Sequence, residues 1–408
     1  MRYLKVLFFC CLFAWISFFP EPVQGEFRFY VYGFIVLLFL IFIPEQGLSL
    51  FKASDYPLWG FLIAISINVF FAQQRNTALK TYLDLAVPLF CIYYLMSEDL
   101  AYGKNFNLLA KTICICSILV SLGGILEFIF AYNPIYEHGI VNPFYKRYIS
   151  SGLVRPMSTQ FNPVVLGTYL LGSLPFNFIL FKQNKSFFRF LGGLGAVLNI
   201  VIMILAFSRG VFLGLITIIT FYLIIQKKYR SLVIFFIALL LFVLLNSFLP
   251  YPFNRFGYGQ LIAENRGIFS GYRFTRWGMT WHIIRDHPLV GLGFQHFRIR
   301  FYEFFPFKFS VPHEFMIADN MYLTILAETG VIGFAGFLLF VLSLLIKGFK
   351  RLRKLQSMPA DKLRLILILS AFLGLLVNAG AYEIFYWSNP YIFFCIIVGL
   401  IRAFTIAG

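Results

Sequence analysis

The sequence predicts an all-α, polytopic integral membrane protein with about twelve transmembrane helices. Apolar residues make up 60% of its 408 residues and charged residues only 12%, a composition far from that of a soluble domain. Most of the apolar residues fall in runs of about 17 to 25, the length that a helix needs to cross the hydrocarbon core of a bilayer. Short polar loops separate most of these runs, and one long polar segment interrupts them.

Twelve such runs can be marked along the chain. Their expected limits are 4–19, 29–43, 57–72, 79–96, 107–132, 161–181, 190–207, 210–226, 231–249, 319–347, 363–378 and 387–404. We divide the chain accordingly into N-terminal helices 1–132, central helices 133–249 with a small polar segment 133–160, a large loop 250–318 and C-terminal helices 319–408.

The net charge of +17 comes largely from lysines and arginines in short loops, so it does not require a nucleic-acid partner. Loops rich in these residues lie at 182–189, 227–230 and 347–364. The positive-inside tendency places these loops and both chain ends in the cytoplasm. The outer face then receives four segments, which are 133–160, 208–210, 250–318 and 378–389.

Arginine dominates over lysine in the large loop. Seven arginines stand there against one lysine, namely Arg255, Arg266, Arg273, Arg276, Arg285, Arg298 and Arg300 against Lys308. A guanidinium group is a planar fork that matches phosphate oxygens, whereas solubility alone would be served equally by lysine. The bias indicates a phosphate-bearing ligand.

Within the large loop, a helix is predicted from Tyr272 up to Pro288. Apolar residues recur there at helical spacing, namely Phe274, Trp277, Trp281 and Ile284. The neighbouring face carries the polar residues Arg273, Arg276 and Thr280. Such a helix would lie at the membrane interface, with its guanidinium groups at the level of the lipid phosphates. Simple binding of anionic lipid headgroups would account for the same residues.

The end of the large loop carries a candidate general base. Asp319 and Tyr322 are three residues apart and are expected on one helical face, with Glu328 on nearly the opposite face. Asp319 is equally suited to be only the N-cap of the helix that follows, because aspartate is favoured at that position. The glycines at 330, 333 and 336 are expected to let another helix approach.

Two further arginines lie at expected helix ends on the outer face. Arg209 separates two apolar runs almost without a loop, and a charge at such a depth calls for an anionic partner. A lone arginine at a helix end often only extends to the interface, which is the simpler alternative. Arg155 closes the small outer segment, where Asn162-Pro163 is a helix start signal.

Taken as a set, these residues resemble the O-antigen ligase and polymerase family of bacterial membrane glycosyltransferases. The matching pieces, in the family's order, are Arg155 to Pro163, Ser208-Arg209-Gly210, Arg273 with Trp277 and Pro288 to Gly293, and Asn320 to Leu323 with Glu328-Thr329-Gly330. They cover about the second two-thirds of the chain. The resemblance implies a fold similar to C-type glycosyltransferases in the bacterial inner membrane, with short interfacial helices in a large periplasmic loop.

The resemblance also implies an activity. A glycan would pass from undecaprenyl diphosphate to a sugar hydroxyl of an acceptor glycan or of lipid A-core, at the periplasmic face, among membrane lipids and without a metal or other cofactor. The diphosphate would be held by Arg209 and Arg273, with Arg276 and Arg155 beside them. Asn320, Tyr322 and Trp277 would position the acceptor.

The identity of the base separates the possible functions. Ligases of the family commonly have histidine directly before the asparagine, where this chain has Asp319; its nearest histidine is His313. Asp319 is therefore the first candidate, followed by His313 and Glu328. The departure leaves a polymerase, which joins repeat units by the same chemistry, as the alternative. A flippase for lipid-linked oligosaccharides is the rival from another class.

Overall fold

The structure is a computed structural model that describes residues 2–19, 21–46, 52–96, 98–134, 154–160, 162–183, 187–248, 268–304 and 317–406. These residues form helices and no strands. The N-terminal helices are α1 Arg2–Phe18, α2 Glu21–Gln46, α3 Tyr56–Phe71, α4 Arg75–Leu95, α5 Glu98–Ala101 and α6 Gly103–Phe130. The central helices are α7 Pro163–Gln183, α8 Phe187–Leu205, α9 Arg209–Ile225 and α10 Tyr229–Asn246. They are followed by α11 Ile268–Asp286, α12 His296–Phe304, α13 Met321–Lys354, α14 Pro359–Ala379 and α15 Ser388–Ile406.

The polytopic membrane fold expected from composition is confirmed. Within the described ranges, eight helices are long and apolar enough to cross a membrane, and three shorter apolar helices, Leu4–Phe18, Tyr30–Phe42 and Arg209–Ile225, accompany them. Each of the twelve predicted runs coincides with one helix. The largest difference is at α2, which begins at Glu21 rather than at 29. The start signal Asn162-Pro163 is also confirmed, because Asn162 Oδ1 accepts a hydrogen bond of 2.8 Å from the Val164 N–H at the start of α7.

The bundle has buried helices at its centre and exposed apolar helices at its periphery. Most of α7 and α15 is buried among other helices, whereas almost none of α10 is, although α10 is apolar on all sides. An apolar helix without protein around it is stable in hydrocarbon but not in water. The exposed surface of α10 therefore fits contact with lipid.

A buried ion pair joins the helix ends that lie farthest from the large loop. Arg402, near the end of α15, places its Nη2 atom 3.0 Å from Asp55 Oδ2, and Tyr93 donates a hydrogen bond of 2.9 Å to the same carboxylate. The guanidinium group also lies 4.4 Å from the ring centre of Tyr94. Because each buried charge has its partner, this contact can hold α3, α4 and α15 together without an uncompensated charge.

Helix α13 is broken at Gly330, and the segment Pro288–Gly293 docks into the break. Gly330 has φ 65° and ψ −171°, outside the helical region. The Val331 N–H donates to Pro288 O at 2.9 Å, and the Gly293 N–H donates to Glu328 O at 3.0 Å. Two of the sequence motifs, Pro288–Gly293 and Glu328-Thr329-Gly330, thus form one joint, which we call the α13 joint.

Asn68 of α3 completes the α13 joint. Its buried side chain donates to the carbonyl oxygens of Val290 and Glu328, the latter at 2.8 Å, and its Oδ1 accepts from the Phe294 N–H at 2.8 Å. Carbonyl groups freed by a helix break inside a membrane protein need such partners, because lipid supplies none. One asparagine therefore satisfies backbone groups on both sides of the joint.

Only part of the expectation for the α13 glycines holds. A Cβ at Gly336 would lie 3.1 Å from Phe61 Cα, so helix α3 does approach there. At Gly330 the close neighbour is the carbonyl of Leu289 in a loop, not a helix, and at Gly333 it is the side chain of Thr329 in α13 itself. The prediction was wrong at these two positions because a break in the helix leaves no sign in its apolar pattern.

The face of α11 that packs against α13 includes Trp277 and Ile284 of the predicted apolar set but not Trp281. Thr280 is fully buried at its centre, and Ile283 and Ile284 pack in a cluster with residues of α13. Trp281, predicted to share a face with Trp277 and Ile284, is 54% exposed. The helix ends at Asp286, before Pro288, as expected. The predicted apolar face is therefore confirmed at Trp277 and Ile284 and wrong at Trp281.

We expect Gly330→Ala to destabilise the protein by at least about 2 kcal/mol, because alanine is strained at φ 65° and its Cβ would overlap the Leu289 carbonyl. Gly60→Ala is the matched control, since Gly60 lies inside a helix and a Cβ there meets nothing within 4 Å. Thermal unfolding of both variants in detergent would test this. Equal melting temperatures would contradict the strain expected of alanine at Gly330.

Candidate functional site

Four separate segments meet at the end of the bundle that carries the large loop. Three of them, 133–160, 250–318 and 378–389, are joined with α7 in a hydrophobic cluster that consists of Met157, Val165, Ile317, Tyr382, Tyr386 and Trp387. A Cβ at Gly210 would lie 2.7 Å from Asn378 Oδ1 and 2.8 Å from Ala381 Cβ, so the start of α9 packs against the end of α14 and the loop that follows it. The structure thus brings together segments that the sequence analysis placed on one face.

Arg155 and Arg209 lie at the same turn. Arg155 Nε and Nη2 donate to the carbonyl oxygen of Ala206 at 3.0 and 2.7 Å. Three residues later Arg209 begins α9, where it is partly exposed. The positive end of the α9 dipole adds to these two charges and favours an anion at this turn.

Arg276 of α11 holds the segment Ile317–Asp319. Its Nη2 atom lies 2.6 Å from Asp319 Oδ2, and its Nη1 donates to Ile317 O at 2.8 Å. Trp277 Nε1 donates to Ala318 O, also at 2.8 Å. The side chains of the ion pair are 17% and 16% exposed, so the pair is reachable from solvent while both partners are largely covered.

Asn320, and not Asp319, is the N-cap of α13. Its Oδ1 accepts from the N–H groups of Tyr322 and Leu323 at 3.0 and 3.2 Å. Asp319 has φ 53° and lies outside the helix, so the capping alternative for it is wrong, as is the expected helical face shared with Tyr322. The hydroxyl of Tyr322 instead donates to Leu376 O of α14 at 2.6 Å.

Glu383 is a buried carboxylate that the sequence analysis missed. It accepts hydrogen bonds from the Asn320 N–H, at 3.2 Å, and from the Thr324 hydroxyl. Burial raises the pKa of Glu383 to about 8, and the nearby carboxylates of Glu328 and Asp319 act in the same direction. In the sequence, the sign of this site is that Glu383 is the single acidic residue among the aromatic residues of the 378–389 loop.

Glu328 is fully buried at the α13 joint. Its Oε1 accepts from the Phe297 N–H at 3.1 Å and from the Tyr386 hydroxyl. Glu328 and Glu383 line one cavity of about 10 Å³, which is the space of about one water molecule. The site therefore contains two enclosed carboxylates and one, Asp319, near its surface.

Two predicted residues cannot be placed in this geometry. His313 lies outside the described residues. Arg273 belongs to α11, three residues before Arg276, but its side chain lies outside the described part of the chain. Their expected roles stay predictions.

The fold and the site define a class of protein, namely a helical membrane protein with arginines and carboxylates gathered in loops at one end of the bundle. Residues 194–338 match the model of a family described as O-antigen ligase, which confirms over that part of the chain the resemblance found in the sequence. The matched range includes Arg209, Arg276 and Asp319, whereas Arg155 and Glu383 lie outside it. No curated protein matches the chain significantly.

The raised pKa of Glu383 predicts a pH-dependent stability. The folded protein keeps this proton up to about pH 8, whereas the unfolded chain releases it near 4.5, so stability should fall as the pH rises from about 4.5 to about 8. Glu383→Gln keeps an oxygen for Asn320 and Thr324 but cannot ionise. We expect the melting temperature of this variant to change less between pH 5 and pH 8 than that of the wild type. An equal change in both proteins would contradict a protonated Glu383 in the folded state.

Proposed function

We propose that the protein transfers a glycan from undecaprenyl diphosphate to a sugar hydroxyl of lipid A-core, on the periplasmic face of the bacterial inner membrane. One observation carries the proposal: Arg276 meets Asp319 at the end of the bundle where Arg155 and Arg209 share a turn. The family match over residues 194–338 supports a glycosyltransferase of the ligase type.

The arginines suit a diphosphate leaving group. Negative charge builds on the diphosphate as the glycosidic bond breaks, and fixed guanidinium groups at a poorly hydrated interface stabilise that charge. Arg209 and Arg155 would act with the N-terminus of α9, and Arg273 and Arg276 would act from α11. Since these groups supply the positive charge, the reaction as proposed asks for no metal and no other cofactor.

Asp319 is the proposed base, and its contact with Arg276 suggests how it is controlled. In this structure the Arg276 guanidinium group donates a hydrogen bond of 2.6 Å to Asp319 Oδ2. A diphosphate that engages Arg276 would free the carboxylate to accept the proton of the acceptor hydroxyl. Positioning of the acceptor falls to Trp277, Asn320 and Tyr322. Glu328 is fixed by two hydrogen bonds at the α13 joint, which favours an anchoring role.

A polymerase is the second candidate, and Asp319 is the observation that favours it. Aspartate stands directly before Asn320, where ligases of the family commonly have histidine. The acceptor would then be another lipid-linked repeat unit, and the chemistry at the diphosphate would be the same. Gel analysis of lipopolysaccharide from a deletion strain separates the two: bare lipid A-core indicates a ligase, and core with one repeat unit indicates a polymerase. A flippase is disfavoured, because the arginines gather at one end of the bundle rather than along a path through it.

We expect Arg209→Ala and Arg276→Ala each to lower glycan transfer by at least about 100-fold, the usual effect of removing a donor that stabilises developing charge. Arg→Lys at either position should restore only part of the activity, because lysine lacks the planar fork. Arg285→Ala, an exposed arginine on the same helix as Arg276, is the control. The assay is transfer by purified protein from an undecaprenyl-diphosphate-linked glycan; full activity in both alanine variants would refute the diphosphate site.

Asp319→Asn should bind the carrier lipid and lose transfer by about 100-fold or more, because the amide cannot accept the hydroxyl proton. Helix capping is unaffected, since Asn320 provides the cap. Glu328→Gln is the comparison and should be milder, because its amide oxygen can still accept from Phe297 and Tyr386. A wild-type rate for Asp319→Asn across pH 6 to 9 would exclude Asp319 as the base and leave His313 as the next candidate.

A further inference from the structure

Glu127 is a buried carboxylate of α6 that has no role in the proposed reaction. It is the only acidic residue in the sequence of α6 and lies about one turn before that helix ends at Phe130. The residue is 1% exposed. An ionisable group that is removed from water costs free energy, so the contacts of Glu127 have to compensate for its burial.

The carboxylate of Glu127 holds the segment 154–160 at its middle. Glu127 Oε2 accepts hydrogen bonds from the N–H groups of Met157 and Ser158, at 2.9 and 2.6 Å. It also accepts from Asn133 Nδ2 at 3.0 Å, and the same Nδ2 donates to Ser158 O at 2.9 Å. Successive backbone N–H groups that point to one place form a concavity that binds an anion, and here a carboxylate of the protein itself fills it.

Ser158 shows that the segment needs α6 to hold this shape. Its φ is 52°, a left-handed conformation that is unfavourable for serine and persists only where the surrounding structure enforces it. Besides the contact of its N–H group with Glu127, its hydroxyl donates to Val120 O at 2.7 Å. A Cβ at Gly123 would lie 2.8 Å from this hydroxyl oxygen, so α6 leaves room for it. Both anchors belong to α6, and that helix therefore sets the backbone conformation at Ser158.

The start of the same segment holds the turn that precedes α9. Arg155 Nε and Nη2 donate to Ala206 O at 3.0 and 2.7 Å, and Arg209 begins α9 three residues further on. Only Pro156 separates Arg155 from Met157. Because the proline ring fixes its own φ, a displacement of the backbone at Met157 carries over to Arg155. The contacts of Glu127 are thus linked to the turn through a short and stiff piece of chain.

We propose that Glu127 is a positioning residue for this turn: through the segment 154–160 it fixes Arg155, and through Arg155 it fixes the turn that presents Arg209. Glu127 does not contact the substrate itself, because its carboxylate is enclosed. The inference rests on the proposed function, in which this turn binds the diphosphate of the donor. It adds that the affinity for diphosphate depends on an acidic residue of the N-terminal helices.

The sign of the effect separates positioning from simple electrostatics. Removal of a negative charge near an anion site would by itself strengthen anion binding, whereas loss of a positioning contact weakens it. Glu127→Ala removes the acceptor, and Glu127→Asp keeps the charge but is one methylene shorter. Oε1 of Glu127 is shielded from solvent and makes no hydrogen bond within the described residues. Glu127→Gln can therefore keep the hydrogen bonds at its amide oxygen and place its NH2 group at the position of Oε1.

The test is binding of inorganic pyrophosphate to the purified full-length protein in lipid nanodiscs, measured by titration calorimetry. We expect Glu127→Ala and Glu127→Asp to bind at least about tenfold more weakly than the wild type, the effect of losing about one charge-assisted hydrogen bond. Glu127→Gln should retain most of the affinity. Ser121→Ala is the matched control, because Ser121 is also buried on α6 but donates, at 3.0 Å, to Asn199 of α8.

A double-mutant cycle shows whether Glu127 acts through Arg155. Arg155→Ala should also weaken binding by at least about tenfold, and Glu127→Ala should add little to it, because either change breaks the same link. Hydrogen exchange gives a readout that needs no ligand. The amides of Met157 and Ser158 should exchange faster in Glu127→Ala and Glu127→Asp than in the wild type and Glu127→Gln. Thermal unfolding shows which variants are folded, and Glu127→Asp decides the question if Glu127→Ala does not fold.

Three results would overturn the inference. Unchanged or stronger pyrophosphate binding in Glu127→Ala and Glu127→Asp would show that the segment does not control the turn. Additive losses in the double variant would mean that Glu127 acts by another route than Arg155. A loss in Glu127→Gln as large as in Glu127→Ala would make the charge of Glu127 decisive instead of its hydrogen bonds.

Arg209→Ala separates this inference from the proposed function. Absence of pyrophosphate binding in the wild type, or binding that survives Arg209→Ala, contradicts the diphosphate site and with it the positioning role. Binding that is lost in Arg209→Ala but kept in Glu127→Ala and Glu127→Asp contradicts the positioning role alone.

Discussion

The α13 joint is the contact on which the candidate site depends. A helix that breaks inside an apolar bundle leaves backbone groups that lipid cannot satisfy, and here Asn68 and the segment Pro288–Gly293 satisfy them. The same segment connects α11 to α12, which carry Arg276 and Arg298. The position of both arginines is thereby fixed by a buried hydrogen-bond network rather than by the loop in which they lie.

The site that results contains carboxylates in two different environments. Glu328 and Glu383 are enclosed, and each accepts hydrogen bonds from another segment of the chain, so each joins parts of the protein. Asp319 is partly exposed and bonded to an arginine instead. Because an enclosed carboxylate cannot contact a bulky substrate, burial distinguishes Asp319, which a substrate can reach, from Glu328 and Glu383, which hold the structure together.

The helices were predictable from the sequence because a long apolar run can satisfy its backbone groups inside a bilayer only by forming a helix or a closed barrel. Arg276 and Asp319 were also found, since charges stand out in such a composition. Asn68, whose partner Glu328 is 260 residues away, was missed, because a single polar residue in an apolar run does not reveal what it bonds. Asp319 was mistaken for a possible cap because Asp319 and Asn320 are both good capping residues and differ here only in backbone conformation.

If the donor is a carrier-linked glycan, as proposed, the ion pair between Arg276 and Asp319 would help to keep that donor intact. Water is the most abundant hydroxyl compound at the membrane surface, and a permanently available base would promote hydrolysis of the donor as readily as transfer. If Asp319 is released only when a diphosphate engages Arg276, the donor has to bind first, and the resting protein offers water no activated site. The order in which the substrates arrive would then follow from a single contact of 2.6 Å.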